Sequence, residues 1–372
     1  MRIAWFRPTD TDAANPLDGT ATLIDELRCT HDIDVIVDAR AHDFVWQQLQ
    51  HPWDLCVFEL DNTRAHQFIW GYLPNYPGLV LLASLDVANL RIAAYASRAV
   101  VVADPGLSDR LKARFPSANV RYAPPFAGHS RPTGADLSRT RADRGADTAA
   151  TRPVRFAVYD RRARGGRLIE RAFERARSAG ATFDIVPPEP GPSALERSDV
   201  VIAPAWPPLH SPLTSLLAAM AAGKAVITTE TDATAEWPAI DPQTWRPRDL
   251  AVSDAPIAVT VDPRDVEHSL MLAIRKLSAD AALRDQLGRA ARAWCEAHAT
   301  AAQAASAWMA ILQEAMSLAP PLRADDASKQ FFVDGTELAR DLRREFSLGD
   351  VYEWPSDPGT RIPDPGSRSS HS

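Results

Sequence analysis

Cysteine is scarce in this chain. Its three cysteines, Cys29, Cys56 and Cys295, stand far apart, which excludes a disulfide framework and any paired-cysteine zinc spacing and fits a reducing, cytoplasmic setting. No apolar run approaches the about 20 residues that a membrane-spanning helix needs. The first residues, MRIAWFRPTD, run directly into a strand-like segment with no signal-type apolar region. Positive charge is also in short supply. The formal net charge of −7 argues against a general nucleic-acid binder, and the basic run RRARGGR (161–167) is short for that purpose. No G-x-G-x-x-G follows a strand, and there is no Walker loop, G-x-S-x-G or H-E-x-x-H, which excludes the commonest dinucleotide, phosphate-loop, hydrolase and zincin chemistries. No repeat of solenoid period is present.

Apolar residues, by contrast, make up 45% of the 372 residues, enough for two domains of ordinary size. Short apolar, β-branched stretches at 3–6, 33–37, 54–60, 79–83 and 99–102 read as strands. Helical patterns at 19–28, 65–72, 87–96 and 107–115 lie between or after them. Residues 128–152 are polar, charged and short of large apolar side chains, so they read as a linker or exposed insertion. The alternation then restarts. Strands are expected at 154–159, 182–186, 199–203 and 225–229, and helices at 213–222, 262–277, 283–298 and 301–316. Another helix shows its face in Leu168, Ile169, Ala172, Phe173 and Ala176. Strands alternating with helices predict an α/β fold with parallel sheets covered on both faces. The expected organisation is two Rossmann-like doubly wound domains, 1–127 and 153–316, joined by 128–152. An extension with a short helix (317–349) and a disordered Pro/Gly/Ser tail (350–372) follow. Ligands of such folds bind outside the carboxyl ends of the strands.

The stretch 210–236, HSPLTSLLAAMAAGKAVITTETDATAE, organises the second half. Ser211 suits an N-cap, Pro212 the first helical position and Gly223 a left-handed C-cap. The helix start offers free N–H groups beside Ser211, Thr214 and Ser215, an arrangement suited to a phosphate. The same residues serve equally well as first-turn caps in a core α/β unit that holds no ligand, and both readings stand.

This stretch resembles a segment of the GT-B glycosyltransferases of family 4, close to L-E-A-M-A-x-G-x-P-V-V-x-x-D-x-G-G-x-x-E. Ala219, Met220, Ala221, Gly223, Val226 and Glu236 match it without a gap. Downstream, VDPRDVEHSLMLAIRKLSADAALRDQLGRAARAW is similar to the family's C-terminal helices. In the first half, Asn62, His66, Pro77 and Gly78 within FELDNTRAHQFIWGYLPNYPGLVLLASL resemble a bacterial subgroup. The resemblance covers about residues 1–316 and implies the GT-B fold: two Rossmann-like domains facing across a cleft.

The resemblance also implies roles. The family's two glutamates, eight apart, fall at His210, near the donor sugar, and at Ala218, where the ribose would be held. Its Arg/Lys pair on the diphosphate falls at Tyr159 and Arg164, so Arg164 keeps the cation. Its His-Asp pair falls at Ala83 and Ser84, and its glycine pair at Asp232 and Ala233. Gly19 fits the first-domain loop that approaches the donor. The implied donor-binding set is therefore Gly19, Arg164, Ser211, Thr214 and Ser215, with His210 as the candidate at the reacting sugar. Read on its own, Arg164 belongs to a basic loop that solvent could simply cover, and His210 could pack against the neighbouring prolines. His66, on an aromatic helix face, reads as a core histidine, and Glu236 as a support of its loop. The implied activity is retaining, metal-independent transfer of a sugar from a UDP- or GDP-linked donor to a hydroxyl of a glycan, lipid or small molecule. No cofactor, nucleic acid or membrane span is implied. The substituted positions set a second expectation beside it: a catalytically impaired GT-B protein that binds or scaffolds a partner transferase.

Overall fold

The computed structural model describes residues 1–9, 19–87, 89–127, 152–159, 166–186, 192–203, 213–248 and 255–321. Contacts divide the chain into Met1–Arg323 and Ala324–Ser372, and every residue described belongs to the first of these. The tail and nearly all of the linker read from the sequence lie outside the described residues.

The first sheet has six strands: β1 (Arg2–Phe6), β2 (Asp32–Ile36), β3 (Leu55–Leu60), β4 (Leu79–Leu82), β5 (Ala99–Val102) and β6 (Val120–Tyr122). Their order is β2-β1-β3-β4-β5-β6, and all pairings are parallel. Strands buried on both faces read as continuous apolar runs, as LCVFEL, LVLL and AVVV do here. Alternate residues go to opposite faces. Ala4, Phe6, Phe58, Val80 and Val100 join one core, while Ile3, Trp5, Val57, Leu79 and Val101 join the other. Phe6 anchors the first core, with ring centroids 4.8 Å from Phe58, 4.9 Å from Phe44 and 5.1 Å from Tyr72. Each such aromatic contributes about 1.5–3 kcal/mol through burial.

The helices of this lobe are α1 (Thr20–Leu27), α2 (Ala41–Gln50), α3 (Leu90–Ala96) and α4 (Pro105–Arg114). Where the sequence predicts a helix over 65–72, the chain forms a 3-10 helix, Arg64–Gly71. Its inward residues, His66 and Ile69, are spaced by three, the period at which 3-10 side chains eclipse. The sequence pattern gives no sign of α2. Its inward positions are only Ala41 and Phe44, while Val45, Trp46 and Leu49 stay exposed, so no clean apolar stripe marks it.

The second sheet also has six strands: β7 (Val154–Val158), β8 (Phe183–Ile185), β9 (Val200–Ala203), β10 (Ala225–Thr229), β11 (Ala239–Ile240) and β12 (Ala258–Val261). Their order is β11-β12-β10-β9-β7-β8, again all parallel. Its helices are α5 (Gly166–Ser178), α6 (Pro192–Arg197), α7 (Leu213–Ala221), α8 (Val266–Ala279) and α9 (Ala281–His298). The face predicted for α5 is the one it buries, through Ile169, Ala172, Phe173 and Ala176. Gly223 closes α7 in the left-handed conformation, φ 69°. Its N–H reaches Met220 O at 2.8 Å and the N–H of Lys224 reaches Ala219 O at 3.0 Å, the paired bonds of a Schellman cap.

Helix α10 (Ala301–Ser317) is last in sequence among the described helices, yet it packs on the first sheet. Ala304, Trp308, Ile311 and Leu312 enter the core made by Ile3, Trp5, Leu23 and Val101. Thr300 and Gln303 form a capping box at its start. Trp308 lies 5.4 Å from Trp5 between centroids, Arg121 pairs with Glu314, and Arg98 Nη1 donates to Ala315 O at 3.1 Å. The chain thus passes from the first sheet to the second and returns.

Candidate functional site

In each sheet the chain leaves its first strand to one side and later returns to the other. From β1 it passes through α1 to β2, then through α2 to β3 on the opposite flank of β1. Helix α1 packs on one face through Leu23 and Ile24, and α2 on the other through Ala41 and Phe44. The crossovers therefore diverge at the carboxyl ends of β1 and β3 and leave a crevice there, the position that open α/β sheets use for ligands. The second sheet repeats the device. Helix α5 covers one face through Ile169 and Phe173, α6 covers the other through Ala194 and Leu195, and the crevice opens between β7 and β9.

The first crevice is floored by charge. Glu59, near the end of β3, is fully buried, and Trp5 Nε1 donates to its Oε1 at 2.8 Å. Arg7, one residue beyond β1, places Nε 3.9 Å from the same oxygen and is itself 6% exposed. The register that sets Phe6 opposite Phe58 brings Arg7 beside Glu59. Burying a carboxylate or a guanidinium alone would cost several kcal/mol, so each requires the other. The sequence reading does not single out this pair. Its signal is one acid inside the otherwise apolar strand LCVFEL, which needs a partner at that depth. Gly19 precedes α1 with φ 108°, a conformation that favours glycine, and accepts from the N–H of Thr22 at 3.0 Å. As the N-cap it offers no side-chain acceptor to the helix start.

The remaining first-lobe positions have structural partners. His66 is buried, with Nδ1 2.7 Å from Thr63 Oγ1, as a core histidine would be. Ser84 is buried and its Oγ accepts from the N–H of Asp86 at 3.1 Å, which stabilises a turn.

In the second crevice, Tyr159 follows β7 and its N–H reaches Ile202 O at 2.9 Å. Its ring is half-buried, and burial pushes the phenol above its ordinary pKa. Thr214 and Ser215 occupy the first turn of α7, the helix that leaves β9, and both are half-buried. Ala218 is buried, packed in a core with Val201, Leu217 and Val226. Arg167 stands exposed in the first turn of α5, the helix that leaves β7. Arg164, His210 and Ser211 lie outside the described residues, as do Arg161 and Arg162.

Beyond β10 the chain turns tightly. Thr231 N–H donates to Thr234 Oγ1 at 3.0 Å, and that hydroxyl donates to Thr229 O at 3.1 Å. Charged pairs line the adjacent strand ends. Glu230 pairs with Arg248, and Asp262 accepts from Arg264 Nη2 at 2.9 Å, which holds the Asp262 carboxyl below its usual range. The carboxyl edges of the two sheets also meet. Gly106, in the first turn of α4, touches Asp232 from the loop after β10. Burial, then Asp104, then Glu236 raise the pKa of Tyr122 at the end of β6. Among the described residues no His/Cys/Asp/Glu group has the arrangement of a metal site, and no helix is long and apolar enough to cross a membrane.

No protein-family model matches the chain, and no curated protein matches it by sequence. Solved structures do. A glycosyltransferase from Rickettsia africae aligns over 86% of this chain and 99% of its own with TM-score 0.52 at 9% identity. WaaG, described as a glycosyltransferase involved in lipopolysaccharide biosynthesis, aligns over 82% of this chain and 99% of its own with TM-score 0.52 at 12% identity. Two six-stranded parallel sheets, each covered by helices and each with its own crevice, give this chain the two-domain α/β architecture of the GT-B fold.

Proposed function

We propose that the protein transfers a sugar from a UDP- or GDP-linked donor to a hydroxyl acceptor, with retention at the anomeric carbon and without a metal. The observation that carries this reading is the pair of crevices, at β1/β3 and β7/β9, on sheets whose carboxyl edges approach one another through Gly106 and Asp232. The donor diphosphate belongs at β7/β9. There the start of α7, with Ser211, Thr214 and Ser215, supplies backbone N–H groups and hydroxyls, and Arg164 supplies a cation. Both would neutralise the departing diphosphate, a form of stabilisation that is often the largest catalytic contribution. His210 would lie beside the donor sugar, and the loop that ends at Gly19 would approach it from the first lobe. The acceptor belongs on the first-lobe side, and closure of the lobes would keep water from the donor.

A second reading rests on Ala218. A carboxylate at that position would bind the ribose, but this alanine is packed in apolar core. A hydrogen bond to a charged group contributes about 1.5–3 kcal/mol, so its absence weakens donor binding by roughly tenfold to a hundredfold or more. The protein would then hold a ligand, or a partner transferase, without turnover. Thermal-shift measurements with UDP, GDP and their sugars, followed by product detection with simple hydroxyl acceptors, separate the two. Stabilisation by one nucleotide together with sugar release or transfer supports the enzyme. Silence across the whole panel, with a stable transferase partner in pull-down, supports the scaffold.

A further inference from the structure

Gly106 sits in the first turn of α4, between Pro105 and Leu107, where Asp104 caps the helix by accepting from Leu107 N–H at 3.2 Å. Its backbone is helical and is not among the positive-φ glycines. Helix propensity alone therefore favours alanine at this position. The obstacle comes from the other lobe. A Cβ built on Gly106 would lie 2.4 Å from Asp232 Oδ2 and 3.1 Å from Asp232 Cβ. Rotating the carboxylate away relieves the first contact and leaves the second, because Cβ moves only with the backbone. That backbone is anchored: Thr234, 2% exposed, ties the loop after β10 to itself and to Thr229 O.

Charge sets the same limit. At the start of α4 Pro105 has no N–H and those of Leu107 and Ser108 go to Asp104, so the helix end offers the Asp232 carboxylate little attraction, while Asp104, the cap of that helix, repels it. Glu236, on the same loop, is close enough to raise the Tyr122 pKa and adds negative charge. Contact at Gly106 and like charge behind it both oppose a closer approach.

We propose that Gly106 and Asp232 form a steric stop between the lobes, which fixes how closely the carboxyl edges of the two sheets approach. The stop does not depend on the transfer reaction and would operate equally in a protein that only binds.

The test uses the full chain with spin labels at Cys29, exposed in the first lobe, and at Ser178→Cys, exposed on α5 in the second. Cys56 and Cys295 are buried. The distance distribution is measured by pulsed electron resonance in this background and in Gly106→Ala, Asp232→Gly, which removes both atoms that the added Cβ would meet, and the double variant. Gly106→Ala is expected to shift the mean distance and lower the melting temperature, against its helix propensity, and the double variant to return both to the parent values. An unchanged distance and a raised melting temperature in Gly106→Ala would overturn the stop. So would a shift that persists in the double variant, since that would place the clash with Asp104, 3.2 Å from the same built atom, inside the first lobe. Should Gly106→Ala fail to fold, Asp232→Gly decides alone: a broadened distribution supports the stop, and one identical to the parent contradicts it.

Discussion

The two lobes share a plan and differ in what they place at its focus. Read from the edge strand next to the first strand, the first sheet runs β2-β1-β3-β4-β5-β6 and the second β8-β7-β9-β10-β12-β11. The orders correspond until the last pair, which is exchanged. In the first lobe the crevice is floored by strand residues, with Trp5, Arg7 and Glu59 locked together in the sheet. In the second, the helices α5 and α7 follow β7 and β9, and the buried hydroxyl-bearing residues Thr228, Thr229 and Thr260 lie on β10 and β12. The first focus is thus internally paired, whereas the second lobe spends its buried hydroxyls inside the sheet, where Thr228 Oγ1 donates to Ala203 O at 3.2 Å.

The most disruptive way to probe this contrast is to break the buried pair. Glu59→Ala leaves Arg7 buried without its carboxylate and should cost about 3–5 kcal/mol in chemical denaturation. A loss within experimental error would show that the first crevice is not held by this charge. A change of similar size is expected from removing the helix that returns to the first sheet. Trp308→Ala should cost about 3–5 kcal/mol, with the loss seen in hydrogen exchange of β1 and β5 before that of β9 and β10. Uniform loss in both sheets would mean that α10 does not belong chiefly to the first lobe.

Smaller effects sharpen the comparison. Arg121, through its side-chain hydrogen bond, lowers the pKa of Glu314 below its ordinary 4.5. A carboxyl depressed on folding stabilises the fold above its unfolded pKa, and that contribution fades as pH falls through the folded value. Both side chains are partly exposed, so Glu314→Gln should cost only about 0.2–1 kcal/mol at pH 7. Variant and parent should converge in acid, which denaturation at pH 7 and pH 3 checks. The smallest effect is expected in the second lobe. Thr229 Oγ1 is buried with no hydrogen-bond partner, so Thr229→Val should be neutral or slightly stabilising, within about 1 kcal/mol. A clear destabilisation would mean that this hydroxyl has a role in its lobe.

The same contrast explains what could be read from the chain alone. The nine strands expected from the sequence are legible because double burial makes them apolar runs, and Gly223 is legible because a helix that stops before a strand needs a left-handed residue. Helix α2 is not, since its inward face is just Ala41 and Phe44. Strands β6, β11 and β12 are not among the strands expected from the sequence, because runs of only three, two and four residues are too short to show a pattern. The return of α10 to the first sheet is a long-range contact between Trp308 and Trp5, which periodicity does not encode. The Arg7–Glu59 pair depends on strand register, and Gly106 depends on a residue of the other lobe. By contrast, Thr214 and Ser215 fall in the first turn of α7 as expected, because Pro212 and Gly223 bracket that helix in the sequence itself.

The central claim is that the β7/β9 crevice receives a nucleoside diphosphate. Isothermal calorimetry with UDP and with GDP on the full chain tests it most directly, alongside Arg164→Ala. The expected result is saturable binding of one of the two nucleotides, weakened at least tenfold by the substitution, as the loss of a charged contact of about 1.5–3 kcal/mol requires. Binding of equal strength in the variant, or no heat from either nucleotide in the parent, would contradict the claim.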